Sequence, residues 1–239
     1  MKQHVNMVVD VGNTFIKVGT FESGTLVHAE SFSAIEDVRS KIQQRNPDHI
    51  FVSSVREESF WTALSDFNNI LKLDAQTPLP IAFDYESRAT LGTDRIAAAV
   101  GAYTLFPDQA NLFFDVGTCL THGLVDETNT FIGGSISPGV EMRLKALAHY
   151  TARLPLLTPQ SAELTGKSTS GSIMSGVMNG ILFEIEGFIH SYQNKYPGMN
   201  VLMTGGNASL FEKRLKEPIF VVAELNLIGL NRILSYNVY

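Results

Sequence analysis

The sequence predicts an α/β fold made of two similar halves, and an internal duplication carries this prediction. The stretch Val8-Val9-Asp10-Val11-Gly12-Asn13-Thr14 returns as Phe113-Phe114-Asp115-Val116-Gly117-Thr118, so an apolar run twice ends in Asp-Val-Gly and a small polar side chain. Two further apolar segments joined by polar turns follow each copy, which is typical of a β-meander. Helical apolar spacing comes after each meander. This order, βββαβα in the first half, predicts mixed sheets covered by helices.

The remaining elements of the first half follow from local patterns. The first meander spans about 7–32, and apolar residues at helical spacing then predict a helix that Asn46-Pro47 ends. The sequence predicts, in order, a helix over 34–45, a strand over 50–52, a helix over 57–71, a strand over 79–83 and an alanine-rich helix around 96–102. Pro107-Asp108 is the predicted boundary, so the expected domains are 1–107 and 108–239.

The second half repeats the scheme after this boundary. Its meander ends near Ile136, and Thr204-Gly205-Gly206 forms a further Gly-rich loop after a strand. The sequence predicts, in order, a helix over 138–149, a long helix over 169–192, a strand over 200–203, a short helix over 207–215, a strand over 219–222 and a closing helix over 225–235.

Composition narrows the class of protein. The chain has 239 residues, 44% hydrophobic and 18% charged, which is ordinary for a globular protein. A formal charge of -6 argues against binding to nucleic acid or anionic membranes, and the single cysteine, Cys119, excludes an intrachain disulfide framework. The chain enters its first strand without room for a signal sequence, and no apolar run approaches the ~18–20 residues of a membrane span. We therefore expect a cytoplasmic protein.

The repeated Asp-Gly turns predict a cleft with a phosphate and metal site. Glycines let the main chain approach an anion, and the amides and hydroxyls that follow can donate to it. A carboxylate at each strand end can hold Mg²⁺ or its waters, and Lys17 could reach a phosphate from the next strand. The alternative is that Asp-Gly after a strand is only a turn, but repetition at equivalent places favours a function.

Several common nucleotide and hydrolase motifs are absent from the sequence. It contains no G-x-x-x-x-G-K-[ST] loop, no G-x-G-x-x-G after a strand and no G-x-S-x-G. The six histidines show no paired metal-ligand spacing. A P-loop enzyme, a serine hydrolase with a nucleophile elbow and a transition-metal site are therefore disfavoured.

The segment Gly92-Thr93-Asp94-Arg95 allows two interpretations. Structurally, Thr93 could cap the helix that begins here, with Asp94 in its first turn. Functionally, Asp94 could be a general base for a substrate hydroxyl, and Arg95 a fixed donor for an anion. Spacing alone does not choose between them.

Five motifs together resemble the type III pantothenate kinases, and the resemblance covers essentially the whole chain. They are Asp10-Val11-Gly12-Asn13-Thr14-Phe15-Ile16-Lys17, Gly92-Thr93-Asp94-Arg95, Asp115-Val116-Gly117-Thr118, Gly133-Gly134-Ser135-Ile136-Ser137-Pro138-Gly139 and Thr151-Ala152-Arg153-Leu154-Pro155. The family belongs to the acetate and sugar kinase/Hsp70/actin superfamily, so the resemblance implies two ribonuclease-H-like domains with an ATP cleft between them. It also implies transfer of the γ-phosphate of ATP to the primary hydroxyl of pantothenate, the first step of coenzyme A biosynthesis.

The resemblance also implies the roles of individual residues. Asp94 would be the catalytic proton acceptor, and Asp115 would bind a monovalent cation, K⁺ or NH₄⁺. Asp10 would face ATP and could hold Mg²⁺ through water. The implied ATP-binding residues are Asp10, Val11, Gly12, Asn13, Thr14, Phe15, Ile16, Lys17 and Thr118, with Gly205-Gly206 on the nucleotide side. The implied pantothenate-binding residues are Tyr85, Gly92, Thr93, Asp94, Arg95 and Thr169, the last reached across a homodimer whose active site lies near the interface.

The chain differs from the usual family pattern at three positions. Gly123 stands where the family usually has Asp, Arg88 where it commonly has proline, and Cys119 where alanine is common. Two alternatives stay open: a non-catalytic regulatory or accessory relative of the same fold, and a kinase of another small hydroxyl-bearing substrate. The retained Asp10, Asp94 and Asp115 favour an active enzyme.

Overall fold

The computed structural model describes residues 4–12, 14–54 and 58–239. The chain divides into two compact units. The first unit comprises residues 1–107 and 224–239, and the second comprises residues 108–223.

The first unit is built on a mixed sheet with the strand order β3-β2-β1-β4-β5. Its strands are β1 (Val5–Val11), β2 (Ile16–Glu22), β3 (Thr25–Phe32), β4 (His49–Ser54) and β5 (Ile70–Lys72), followed by the two-residue strand β6 (Ala82–Phe83). Its helices are α1 (Ile35–Arg45), α2 (Glu58–Ala63), a 3₁₀ turn (Arg88–Thr90), α3 (Thr93–Leu105) and the closing helix α6 (Leu225–Val238). β1 runs antiparallel to β2 and parallel to β4, so β1 is central.

Alternation along β1 separates two faces of this sheet. Met7, Val9 and Val11 are buried in a core that also contains Val38 and Ile42 of α1. The opposite face carries Val8 and Asp10. It is covered by α6, since a Cβ on Gly19, the register partner of Val8 on β2, would lie 3.3 Å from Leu227. The period of two therefore directs Asp10 toward α6 and away from α1.

The second unit repeats this topology. Five strands of its sheet, in the order β9-β8-β7-β10-β11, correspond in turn to β3-β2-β1-β4-β5, so the predicted duplicated α/β fold is confirmed. Its elements are β7 (Asn111–Val116), β8 (Cys119–Val125), β9 (Thr130–Pro138), α4 (Val140–Tyr150), α5 (Thr169–Gln193), β10 (Asn200–Thr204), two 3₁₀ turns (Ala208–Leu210 and Glu212–Arg214) and β11 (Phe220–Val221).

Helix α5 is the core helix of the second unit. It is long and apolar enough to cross a membrane by length and composition alone. However, Ile181, Ile185 and Ile189 on one side of the helix are buried together with Phe114 and Leu124 of the sheet. Its apolar character is therefore explained by packing inside the protein.

Three local predictions were wrong in length or type. The helix predicted over 57–71 ends at Ala63 in the structure (residue 57 lies outside the described residues), and Ile70–Lys72 instead forms β5, parallel to β4. The strand predicted over 79–83 shrinks to Ala82–Phe83, and two 3₁₀ turns replace the helix predicted over 207–215. Short apolar runs such as Ile70-Leu71 fit either period, and pairing with β4 decides the outcome.

The predicted second domain, 108–239, includes the closing helix α6. In the structure, α6 belongs to the first unit instead. It packs antiparallel on α3, so closely that a Cβ on Gly101 would lie 2.3 Å from the Leu225 carbonyl oxygen. A Cβ on Gly229 would lie 1.8 Å from the Ala97 carbonyl oxygen. The two glycines therefore allow the main chains of α3 and α6 to touch, and the chain returns to the first unit at Glu224.

Candidate active site

Asp10 lies near the carboxyl end of β1 in a row of polar residues. Its register partners are Lys17 on β2 and Ser53 on β4, and directly opposed residues share one face of a sheet. From α6, the Asn226 amide nitrogen Nδ2 donates to Asp10 Oδ2 over 3.5 Å. The structure thus brings together the two residues predicted from sequence, Asp10 and Lys17, and adds Ser53 and Asn226.

The turn after Asp10 is tight. The Gly12 N–H donates to the Phe15 carbonyl oxygen over 3.1 Å, while the side chains of Thr14 and Phe15 are exposed. Val11 and Ile16 are each only 1% exposed and belong to the core. Of the predicted ATP-binding segment, these two could therefore contribute only main-chain groups; Asn13 lies outside the described residues.

The second copy has the same row with different side chains. Asp115 on β7 is paired in register with Thr121 on β8 and Thr204 on β10. Its turn is one residue shorter, and the Gly117 N–H donates to the Cys119 carbonyl oxygen over 3.0 Å. Thr118 is exposed in this turn.

Gly205 follows the neighbouring strand β10 and lies against the Asp115 carboxylate. Its φ of 96° lies in the left-handed region that favours glycine. A Cβ there would lie 2.5 Å from Asp115 Oδ1 and 2.6 Å from the main chain of Val116. The Gly-rich loop recognised in the sequence is therefore pressed directly against the second carboxylate.

The Gly-rich motif that ends β9 packs on the same turn. The Gly139 N–H donates to the Thr118 carbonyl oxygen over 3.2 Å. A Cβ on Gly139 would lie 2.5 Å from the carbonyl oxygens of both Gly117 and Thr118. Gly139 is also the N-cap of α4, so this motif fixes the start of α4 against the Asp115 turn.

The segment 92–95 forms the start of α3. Gly92 is the N-cap, so Thr93 does not cap the helix as the structural interpretation allowed. The Thr93 Oγ1 is buried without a hydrogen-bond partner in the described part of the chain. Asp94 lies in the first turn, where its Oδ1 accepts from the Arg95 N–H over 2.8 Å. A Cβ on Gly92 would lie only 2.4 Å from this oxygen, so glycine leaves room for the carboxylate to fold back over the main chain.

Arg95 and Tyr85 form a pair beside this carboxylate. Arg95 is 5% exposed, and its Nη1 donates to the Tyr85 hydroxyl over 3.4 Å. The guanidinium carbon lies 5.6 Å from the centre of the Tyr85 ring, within cation–π range. Four of the residues predicted to bind substrate are therefore linked in a chain of contacts, from Tyr85 to Arg95, from Arg95 to Asp94 and from Asp94 to Gly92.

Thr169 lies in the second unit, at the edge of an apolar groove. It is the exposed first residue of α5, and the preceding Ser168 caps the helix by accepting from the Gly171 N–H. The groove between α4 and α5 has a volume of about 1150 Å³. It is lined in part by Met142, Leu147, Tyr150, Thr169 and Ile173.

The unusual Gly123 has a packing explanation. A Cβ there would lie 2.4 Å from the Phe113 ring and 2.7 Å from the Phe131 ring, and these two rings stack with centroids 6.4 Å apart. The space for a carboxylate at this position is thus filled by aromatic side chains. The neighbouring His122 points to the core on the other face. Its Nδ1 lies 2.7 Å from Ser135 Oγ, and its Nε2 lies 3.4 Å from the Tyr192 hydroxyl. Burial raises the pKa of Tyr192.

Sequence reasoning missed Ser53 and Asn226. Ser53 directly follows the strand predicted over 50–52, and residues at the carboxyl end of a parallel strand next to β1 are natural site candidates. Asn226 gave no signal, because it is 216 positions from Asp10 and its helix was assigned to the other half.

Comparison with solved structures defines the class of protein. A conserved Baf family protein from Campylobacter jejuni superposes with a TM-score of 0.67 at 21% identity, covering 97% of this chain and 98% of that one. A ROK family glucokinase from Streptomyces griseus superposes with a TM-score of 0.51 at 11% identity, covering 95% and 98%. The chain therefore shares the overall fold of these two proteins.

Sequence comparison defines the family. Residues 6–191 match the profile of the type III pantothenate kinases. The chain is 63% identical to the type III pantothenate kinase of Cytophaga hutchinsonii, over 98% of this chain and 100% of the relative. It is 40% identical to that of Bacteroides fragilis, over 98% of each chain. The chain belongs to the type III pantothenate kinase family.

Proposed function

We propose that this chain transfers the γ-phosphoryl group of ATP to the primary hydroxyl of pantothenate, which forms 4′-phosphopantothenate and begins coenzyme A biosynthesis in the cytoplasm. The observation that carries the proposal is the full-length similarity to the Cytophaga hutchinsonii type III pantothenate kinase. The Asp-Gly turns and the start of α3 supply the kinds of groups that phosphoryl transfer needs: carboxylates, a lysine and close main-chain approach.

Asp94 is the proposed proton acceptor. Its carboxylate is oriented by the Arg95 N–H and lies over Gly92, which leaves its position tightly defined. The Arg95–Tyr85 pair next to it would hold the substrate, with the guanidinium donating to an anionic group of pantothenate. As phosphoryl transfer proceeds, Asp94 would take the proton of the attacking hydroxyl.

The two Asp-Gly turns are the proposed contacts for ATP. Main-chain groups after Asp10, the ammonium of Lys17 and the hydroxyl of Thr118 would contact phosphates. Among the described residues no group of three or more His, Cys, Asp or Glu side chains could hold a metal ion, so a cage made only of protein ligands is not expected. Mg²⁺ keeps several waters and would neutralise phosphate charge when bound. The polar row at Asp10 offers groups that could contact these waters.

Asp115 is the proposed ligand of a monovalent cation, K⁺ or NH₄⁺. Its carboxylate lies in register between Thr121 and Thr204, so two hydroxyl-bearing residues flank one charged oxygen ligand. Oxygen ligands of this type suit a hard cation.

The groove between α4 and α5 is the proposed homodimer face. Tyr150 is 83% exposed there and Met142 is 38% exposed, although both line an apolar groove. An exposed apolar surface of this kind marks an interaction site. Pairing through it would bring Thr169 to the interface, as expected for a threonine that reaches the partner's substrate.

The test is an assay of ADP release with ATP and pantothenate, with and without K⁺ or NH₄⁺. We expect turnover only with pantothenate, and stimulation by the monovalent cation. Turnover with another hydroxyl-bearing compound instead would identify a different substrate, and no turnover with any acceptor would identify a non-catalytic relative.

The Asp94→Asn substitution separates an effect on the general base from an effect on the stability of the fold. The asparagine oxygen can still accept from the Arg95 N–H, so the thermal unfolding midpoint should stay unchanged. The kcat should fall by about 10²–10⁴-fold, which is the usual contribution of a general base. Asp108→Asn, in a surface turn, is the matched control, and near-normal kcat in Asp94→Asn would remove Asp94 from the mechanism.

A further inference from the structure

Two buried polar atoms on the Asp10 face have no hydrogen-bond partner in the part of the chain that the structure describes. One is the hydroxyl of Ser53, a residue that is 1% exposed. The other is the side-chain oxygen Oδ1 of Asn226. A buried polar group without a partner is costly, so such atoms call for a specific explanation.

Both atoms belong to residues that adjoin Asp10. Ser53 is its register partner on β4, and Asn226 donates to Asp10 Oδ2 through its other amide atom, Nδ2. Since Nδ2 is directed at the carboxylate, the other amide atom of Asn226, Oδ1, remains as a spare acceptor. Asp10, Ser53 and Asn226 thus form an oxygen-rich cluster at one end of β1.

We propose that Asn226 and Ser53 complete, with Asp10, the acceptor set that receives the water shell of the divalent cation bound with the nucleotide. The inference rests on the proposed function, because it assigns residues to the ATP side of that site. Waters bound to Mg²⁺ act as hydrogen-bond donors, so they need acceptors around them. The Asp10 carboxylate, Asn226 Oδ1 and Ser53 Oγ are acceptors of this kind.

The duplicated half supports a specific role for Ser53. Thr204 is its counterpart beside Asp115, and the Thr204 hydroxyl donates to the Ala223 carbonyl oxygen over 3.3 Å. The hydroxyl in the second half is thus satisfied within the protein, whereas that of Ser53 is not. The two equivalent positions therefore differ in whether the hydroxyl proton has an acceptor in the described part of the protein.

The test compares nucleotide affinity with and without the metal. Calorimetry with ADP would give the dissociation constant in Mg²⁺ and in EDTA, and water-proton relaxation with Mn²⁺ and ADP would report the hydrated ion directly. Asn226→Ala should reduce the Mg²⁺-dependent gain in affinity about 10-fold and Ser53→Ala about 3-fold, as expected for hydrogen bonds near charge. Affinity in EDTA should change little in either variant.

Stability separates this role from a structural one. Ser53→Ala removes an unsatisfied buried hydroxyl, so its unfolding midpoint should stay equal or rise, whereas a structural hydroxyl would lower it. Asn237→Ala is the control on the same helix, since its amide donates to the Pro78 and Ile233 carbonyl oxygens away from Asp10. It should leave the Mg²⁺-dependent gain unchanged.

Two results would overturn the inference: equal losses of affinity in Mg²⁺ and EDTA, or an unchanged Mg²⁺-dependent gain in both Asn226→Ala and Ser53→Ala. Pantothenate turnover by the wild type is measured in parallel. Failure there with the metal effects intact would refute the proposed substrate and leave this cluster standing.

Discussion

Gly92→Ala should damage catalysis without damaging the fold. The new Cβ would lie 2.4 Å from Asp94 Oδ1, whereas ordinary contact begins at 3.4 Å, so the carboxylate must move by about 1 Å. A displacement of this size from a productive geometry costs about 10²-fold in rate, or ~2.7 kcal/mol in activation free energy. The kcat measured by ADP release should fall by about that factor.

Stability should hardly change in this variant. Gly92 has a φ of -55°, which alanine adopts freely, so the smaller entropy of the unfolded alanine chain offsets a slightly poorer helix cap. Gly187→Ala on α5 is the control, because a Cβ there meets nothing within 4 Å. If Gly92→Ala kept kcat within about threefold of wild type while Asp94→Asn lost activity, the tight placement of the carboxylate would not matter for the reaction.

Two further glycine substitutions test the second half. Gly205→Ala should lower the free energy of unfolding by about 3 kcal/mol in urea denaturation, because φ is 96° and the new Cβ meets Asp115 and the main chain; unchanged stability would contradict this geometry. Gly123→Asp restores the usual family carboxylate, yet it should destabilise by about 3 kcal/mol or more because the Phe113 and Phe131 rings occupy the space. A stable Gly123→Asp with stronger K⁺ dependence would show that the aromatic packing can yield.

The duplicated meander could be predicted because its signals are local. An apolar run, an Asp-Gly turn and polar hairpin turns occur within each copy, and the strands β1–β3 and β7–β9 follow them closely. The prediction for 57–71 was wrong because its structure depends on a distant segment of the chain. Ile70 and Leu71 become a strand only because β4 offers a parallel edge, and Asn69 anchors them by donating to the Pro47 carbonyl oxygen over 2.8 Å.

Contacts between distant segments could not be predicted from local pattern. Asn226 reaches Asp10 because α6 crosses back to the first unit, and that return depends on the close approach of Gly101 and Gly229 to neighbouring main chain. In the sequence, these glycines only lower the helix propensity of their segments. Their role becomes visible when the partner helix is known.

The two halves share one topology but surround their carboxylates differently. Asp10 lies opposite Lys17, which supplies a positive charge, whereas the register neighbours of Asp115 are the uncharged Thr121 and Thr204. A carboxylate flanked by hydroxyls is stabilised by a bound cation more than one already opposite an ammonium group. This difference supports the proposal that the monovalent cation binds at Asp115, while Asp10, held by Asn226, serves the hydrated metal of the nucleotide.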